Sequence, residues 1–197
     1  MAEFIKECEG IYRLKVQYTT VYTSIFLIET ELGDLLVDTA SYDDDINNVL
    51  VPALAKMNKS LEGLYAIVIT HDHFDHSGGL KRIREIVPDV RVITELCDLT
   101  DNISTYPMAG HTEGAIGVFD SRTNTLLSGD GLQGAGVDKY RCSAPFVEKY
   151  LETIERIKGD DRIEHILFSH AYEPWYKDRI DGREAVIAAV EKCKEYV

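Results

Sequence analysis

"LYAIVITHDHFDHSGG", residues 64–79, is the stretch on which the reading of this chain turns. Residues 64–70 are a short continuous apolar run, the pattern of a strand buried on both faces. It ends where the histidines begin: residues 70–79 hold three of the chain's six histidines and two of its aspartates. Imidazoles and carboxylates are costly to bury without partners, and a divalent metal is a partner suited to both. His71 and His73 are two apart, which puts both rings on one side of an extended segment. Asp75 and His76 follow where the chain turns towards a helix, so that pair can point another way. One metal needs three or four protein ligands, so the cluster is part of something larger. Asp72 lies between candidate ligands and is expected to be solvated or to support a neighbouring ligand.

Outward from this point, "IYRLKVQ" (11–17) and "TSIFLIETELGDLLVDT" (23–39) read as strands, the second folded into a hairpin at 31–34, where Gly33 can supply a positive φ. Residues 46–57 read as a helix, with Pro52 able to bend it. Ser77 is expected to open the helix that follows the histidines, with Leu80, Ile83 and Val87 on one face. Strands are expected at 90–94, 115–120, 125–130 and 162–170. Helices are expected at 145–158, with Pro145 in the first turn and Phe146, Tyr150, Ile154 and Ile157 on the core face, and at 181–196. The strands fall into two groups, each followed by helices. That order suits two sheets layered between helices better than an alternating barrel.

Residues elsewhere have matching chemistry. His111 lies in the glycine-flanked turn "AGHTEG", Asp130 follows the strand "TLLSGD", and His170 ends "ILFSH". Strand ends are where a rigid scaffold gathers functional groups.

The composition sets bounds. At 197 residues, with 45% hydrophobic residues and no linker-like segment, a single domain over 1–197 is expected. The formal net charge of -13 disfavours a phosphate backbone as the main partner. No run is long enough to span a membrane, and the N-terminus lacks the basic and apolar regions of a signal peptide. The four cysteines, Cys8, Cys97, Cys142 and Cys193, are far apart and fit reduced thiols in a cytoplasm. Nucleic acid and membrane are therefore not expected as partners.

H-x-H-x-D-H after an apolar strand, then G-H-T, then a strand ending in G-D, then a final strand ending in His, resembles the metallo-β-lactamase superfamily. The resemblance runs from "LLVDTA" to His170. It implies an α/β fold, a four-layer αββα sandwich, with a dinuclear metal site. One metal would take His71, His73 and His111, the other Asp75, His76 and His170, and Asp130 would bridge them. Asp38, in "LLVDTA", matches an acidic position that supports the site. Two zinc ions are implied, with manganese or iron as alternatives. Asp75, Asp130 and a bridging hydroxide would offset three of the four positive charges. The remainder would stabilise an oxyanion. Asp130, Asp75 and Asp38 are thus the carboxylates expected to carry catalysis, by metal-assisted hydrolysis of a small ester, thioester or lactone. A phosphodiesterase and a mononuclear iron oxidoreductase resembling persulfide dioxygenases are the rivals.

Departures from relatives narrow this. His73 stands where flavodiiron oxygen reductases carry a glutamate, which disfavours a redox di-iron site. The carboxylate at Asp130 disfavours antibiotic hydrolysis. The ligand set is that of glyoxalase II enzymes, but only residues 171–197 follow His170, so their glutathione-gripping helical domain is not expected. Residues 94–110 are short where many relatives insert a hairpin. His165 is placed on the strand face opposite His170 and is expected to be structural. Cys142 is expected to be an inert thiol. Tyr106, Gln133, Tyr140 and Arg141 are read as loop residues near ligands.

Overall fold

The computed structural model describes residues 2–132, 144–171 and 177–197. It divides into two compact units, Met1–Thr94 and Glu95–Val197.

The first unit is built on a six-stranded mixed sheet in the order β1-β2-β3-β4-β5-β6. Strands β1 (Ile5–Cys8), β2 (Ile11–Tyr18), β3 (Val21–Thr30) and β4 (Gly33–Val37) pair antiparallel, while β4, β5 (Leu64–Val68) and β6 (Val92–Ile93) run parallel. The hairpin between β3 and β4 falls where the sequence put it, and Gly33 has φ 120°. Register sets the faces. Leu14 opposes Ile25 and Leu27 opposes Leu36, and these residues line one face beneath the helices. Residues of the other face, Phe26, Ile28, Leu35 and Val37, are buried too. This two-sided burial is why β3 reads as a continuous apolar run rather than an alternation.

Helix α1 (Asp43–Asp45) passes through a π-turn (Ile46–Leu50) into α2 (Val51–Lys56). The helix expected at 46–57 is therefore present as part of a continuous helical run, and Pro52 is the second residue of α2, directly after the π-turn. Ile46, Leu50, Ala53 and Leu54 face the sheet. Beyond His73, α3 (Phe74–Ser77) precedes α4 (Leu80–Ile86). Ser77 does not open α4. It ends α3, and its hydroxyl donates to the carbonyls of Asp72 and His73, a back-bond open to a helical serine.

The second unit holds a five-stranded mixed sheet in the order β11-β10-β9-β8-β7. Strands β7 (Ile103–Pro107), β8 (Ile116–Asp120) and β9 (Thr125–Leu127) are antiparallel neighbours. β9 and β10 (His165–Leu167) are parallel, and β11 (Arg179–Asp181) runs antiparallel to β10. Strands β7 and β11 are absent from the sequence reading, and β10 is shorter than the expected 162–170. Helices α5 (Val147–Gly159) and α6 (Arg183–Cys193) pack on this sheet through Tyr150, Ile154, Ile157, Val186 and Val190. Phe146 departs from the expected core stripe. It is the N-cap of α5, with φ -100° and ψ 69°, and is 39% exposed, because the helix begins one residue later. Pro145 likewise precedes the helix. Thr153 joins the buried stripe instead, its hydroxyl donating to the carbonyl of Ala109 at 2.7 Å.

Among the described residues, no helix is long and apolar enough to cross a membrane.

Candidate metal centre

In the first unit the ligand-bearing segment is delivered by the parallel pair β4 and β5. Each strand ends on a buried apolar residue, Val37 and Val68, and the chain then changes character. Asp38 takes a left-handed conformation, φ 63°, which a non-glycine residue adopts at a cost of about 1–2 kcal/mol. Its N–H donates to the carbonyl of Val68 at 2.9 Å, locking the end of β4 to the end of β5.

The fully buried Asp38 carboxylate is the organising group of this segment. Oδ1 accepts the backbone N–H of Thr70 at 2.8 Å, and Oδ2 accepts the Thr70 hydroxyl at 2.9 Å. Oδ2 also lies 2.7 Å from Nδ1 of His76. A carboxylate accepts only, so the proton on His76 belongs on Nδ1 and the lone pair on Nε2. Thr70 passes the same constraint to His71. Its hydroxyl hydrogen is committed to Asp38, so its oxygen accepts from Nδ1 of His71 at 3.1 Å. One buried aspartate thereby leaves Nε2 unprotonated on two histidines, the state a metal requires.

The rings of His71 and His73 meet edge to face at 4.6 Å, and those of His71 and His76 lie 4.1 Å apart. His73 is the N-cap of α3, with extended backbone, so the first turn of α3 carries Asp75 and His76. Nε2 of His76 is 3.6 Å from Oδ2 of Asp75. That carboxylate oxygen accepts the hydroxyl of Thr23, a buried residue of β3, at 3.0 Å.

In the second unit, His111, Asp130 and His170 come together from three separate turns, and all three are buried. Oδ2 of Asp130 lies 3.7 Å from Nε2 of His111, and Oδ1 lies 3.3 Å from Nε2 of His170. The turn before His111 needs its glycine: Gly110 has φ 145°, and a Cβ there would sit 2.7 Å from the Cβ of Tyr150 on α5. The N–H of Phe146 donates to the Gly110 carbonyl at 3.1 Å, so the start of α5 is tied to this turn.

These distances bear on whether the residues suit a metal. A tetrahedral zinc with bonds of about 2.1 Å holds neighbouring ligand atoms about 3.4 Å apart. The Asp130 pairs at 3.3 and 3.7 Å and the Asp75–His76 pair at 3.6 Å are near that edge length. The donor set of imidazole and carboxylate fits zinc, and manganese or iron as well. An aspartate with a different histidine beside each oxygen is a candidate to help hold metal, for which it would supply negative charge.

The other candidates fall elsewhere. Asp72 is exposed. His165 lies on β10 with Nδ1 2.7 Å from Oδ1 of Asp181, a partner on β11. Tyr106 was read as a loop residue near ligands. It is instead a core residue of β7, 5% exposed, with its hydroxyl 3.4 Å from Oδ2 of Asp160. Burial, with help from the Asp160 charge, pushes its phenol up to about 12. Gln133, Tyr140, Arg141 and Cys142 lie outside the described residues. The sequence reading missed Thr23 and Thr70. For Thr70 a signal existed, a hydroxyl residue closing an apolar strand. For Thr23 the signal was weaker, a hydroxyl at the start of the alternation that continues with Ile25 and Leu27.

Comparison with known proteins bears on the fold. The model of the metallo-beta-lactamase superfamily matches residues 18–96. A solved metallo-β-lactamase from Erythrobacter litoralis superposes with a TM-score of 0.74 at 18% identity, covering 98% of this chain and 96% of that one. The α/β fold implied by the sequence is the fold of that structure, two mixed sheets flanked by helices. The hydroxyacylglutathione hydrolase of Ectopseudomonas mendocina (strain ymp) is 29% identical over an aligned length of 139, with 57% of this chain and 53% of that protein covered. The cytoplasmic hydroxyacylglutathione hydrolase of Arabidopsis thaliana is 25% identical over an aligned length of 130, with 54% of this chain and 50% of that protein covered. The chain thus spans about half the length of the curated relatives it matches. Its fold is that of solved metallo-β-lactamases, and residues 18–96 are similar to the metallo-beta-lactamase superfamily model.

Proposed function

We propose that this chain is a metal-dependent hydrolase in which His71, His73, Asp75, His76, His111, Asp130 and His170 hold two zinc ions, and that it cleaves a small ester, thioester or lactone. The observation that carries the reading is the placement of Asp130, whose two oxygens each face a different buried histidine. The reading takes residues 1–197 as one catalytic domain.

Zinc, when bound, polarises a carbonyl oxygen and lowers the pKa of water into the neutral range. The chain's own groups supply the rest. Asp38 and Thr70 hold His71 and His76 in the tautomer that presents Nε2. Asp75 and Asp130 bring two negative charges, which lessen the repulsion between two cations. Fixing these donors in advance means that little reorganisation remains for the reaction itself.

A thioester leads among the substrates because relatives that match over part of their length are named hydroxyacylglutathione hydrolases. A cytoplasmic setting is proposed from the four cysteines, which are far apart in sequence and fit reduced thiols.

The test is metal analysis of protein purified without added metal, paired with assays on thioester, ester, lactone and phosphodiester panels before and after chelation. Two zinc ions per chain, with thioester or ester hydrolysis lost on chelation and restored by zinc, supports the reading. One iron per chain with oxygen consumption would replace it by oxidative chemistry. Full hydrolysis by verified metal-free protein would overturn it.

A further inference from the structure

We infer that Thr23 is a positioning residue that fixes the Asp75 carboxylate for metal binding, an inference that rests on the proposed dinuclear site. Thr23 lies on β3, 1% exposed, on the sheet face that it shares with Val16, Ile25 and Leu27. The next two positions of this alternation, Ile25 and Leu27, are buried and apolar, so a hydroxyl here needs a partner to offset its burial. The partner is Oδ2 of Asp75, at 3.0 Å and 52 residues away in sequence.

An aspartate side chain rotates about two bonds and has four lone-pair directions. A ligand role uses one of them and requires that it be held in place. The Thr23 hydroxyl takes one lone pair of Oδ2 and removes the rotation. The same oxygen stays 3.6 Å from Nε2 of His76, close to the separation of two donors on one ion. The hydroxyl is itself fixed, because its residue is paired in the ladder opposite Val16 and sits in packed surroundings. Asp75 therefore takes its direction from the sheet, while His71 and His76 take theirs from Asp38. The Asp75–His76 pair is steered from two independent places.

Thr23→Val removes the hydroxyl with nearly the same shape, and Thr23→Ser keeps it. Zinc affinity is measured by titration against a competing chelator, with circular dichroism to verify the fold. Groups that orient metal ligands typically contribute 10–100-fold to metal affinity. Thr23→Val is expected to weaken one of the two sites by about tenfold or more, and Thr23→Ser to bind within a few-fold of wild type. A second arm repeats Thr23→Val in an Asp75→Asn background. There the substitution is expected to cause no further loss, because the carboxylate it directs is already gone. Unchanged affinity in Thr23→Val, or a loss that persists in full in the Asp75→Asn background, overturns the inference. Wild-type protein that binds no zinc would overturn the proposed function itself, a separate result read from the control.

Discussion

Oδ2 of Asp38 lies 2.7 Å from Nδ1 of His76, and both side chains are fully buried. The same carboxylate accepts the N–H and the hydroxyl of Thr70, and through that hydroxyl it sets the tautomer of His71. Asp38 thus accepts from three donors at once. Asp38→Asn keeps the volume but places an amide NH₂ against one of those donors. It is expected to destabilise the fold by about 1–3 kcal/mol and to weaken metal binding about 10–100-fold. Urea unfolding and zinc titration measure the two effects. Wild-type affinity in the variant would show that the histidine tautomers are set by something else.

Asp130 tests the dinuclear reading from the other unit. Asp130→Asn preserves shape and removes one negative charge between His111 and His170. Two cations are then less well compensated, and the weaker site should empty first. The variant is expected to hold about one metal at low metal concentration and to lose on the order of a hundredfold in turnover. His111→Ala should weaken one site only. Calorimetric titration distinguishes these cases. Two tightly bound metals and an intact rate in Asp130→Asn would remove Asp130 from the bridging position.

Much of this was legible because strands buried on both faces leave uninterrupted apolar runs, and ligand residues follow their ends. β5 running into His71 and β9 running towards Asp130 are the clearest cases. Strand β7 was not legible, since Ile103–Pro107 offers little apolar alternation, and Tyr106 was misplaced with it. The π-turn at Ile46–Leu50 was not legible either, because its apolar spacing is too short to separate from that of an α-helix. Thr23 was hidden for a different reason. A β-branched residue in a strand fits propensity alone, so its hydroxyl gave no sign of a partner so distant in sequence.

The pair His165 and His170 separates a structural histidine from a proposed ligand five positions along. His165 is part-exposed and bonded to Asp181, whereas His170 is buried beside Asp130. His165→Gln is expected to leave metal content unchanged and to alter stability by less than about 1 kcal/mol, the scale of a surface ion pair. His170→Gln should lower the metal content. Stoichiometry measured on both proteins decides, and equal metal loss in the two would reverse the assignment.

Tyr106 gives a prediction at alkaline pH that involves no metal. Its phenol is pushed up to about 12, first by burial and then by the negative charge of Asp160. The folded protein therefore holds this proton more tightly than the unfolded chain, whose tyrosines titrate near pH 10. The associated stability is fully present below about pH 10 and is lost as pH rises through about 12. Two pH units at about 1.4 kcal/mol each place the loss at roughly 3 kcal/mol. Tyr106→Phe keeps the ring in the core of β7 and removes the ionisable group. At neutral pH it forfeits only the 3.4 Å contact to Asp160, a change expected to be about 1 kcal/mol or less. Between pH 10 and 12 its stability should fall less steeply than that of wild type, so the two curves converge. Urea unfolding at pH 8, 10 and 11 provides the comparison. A constant difference between wild type and Tyr106→Phe across that range would show that the buried phenol does not control the alkaline limb.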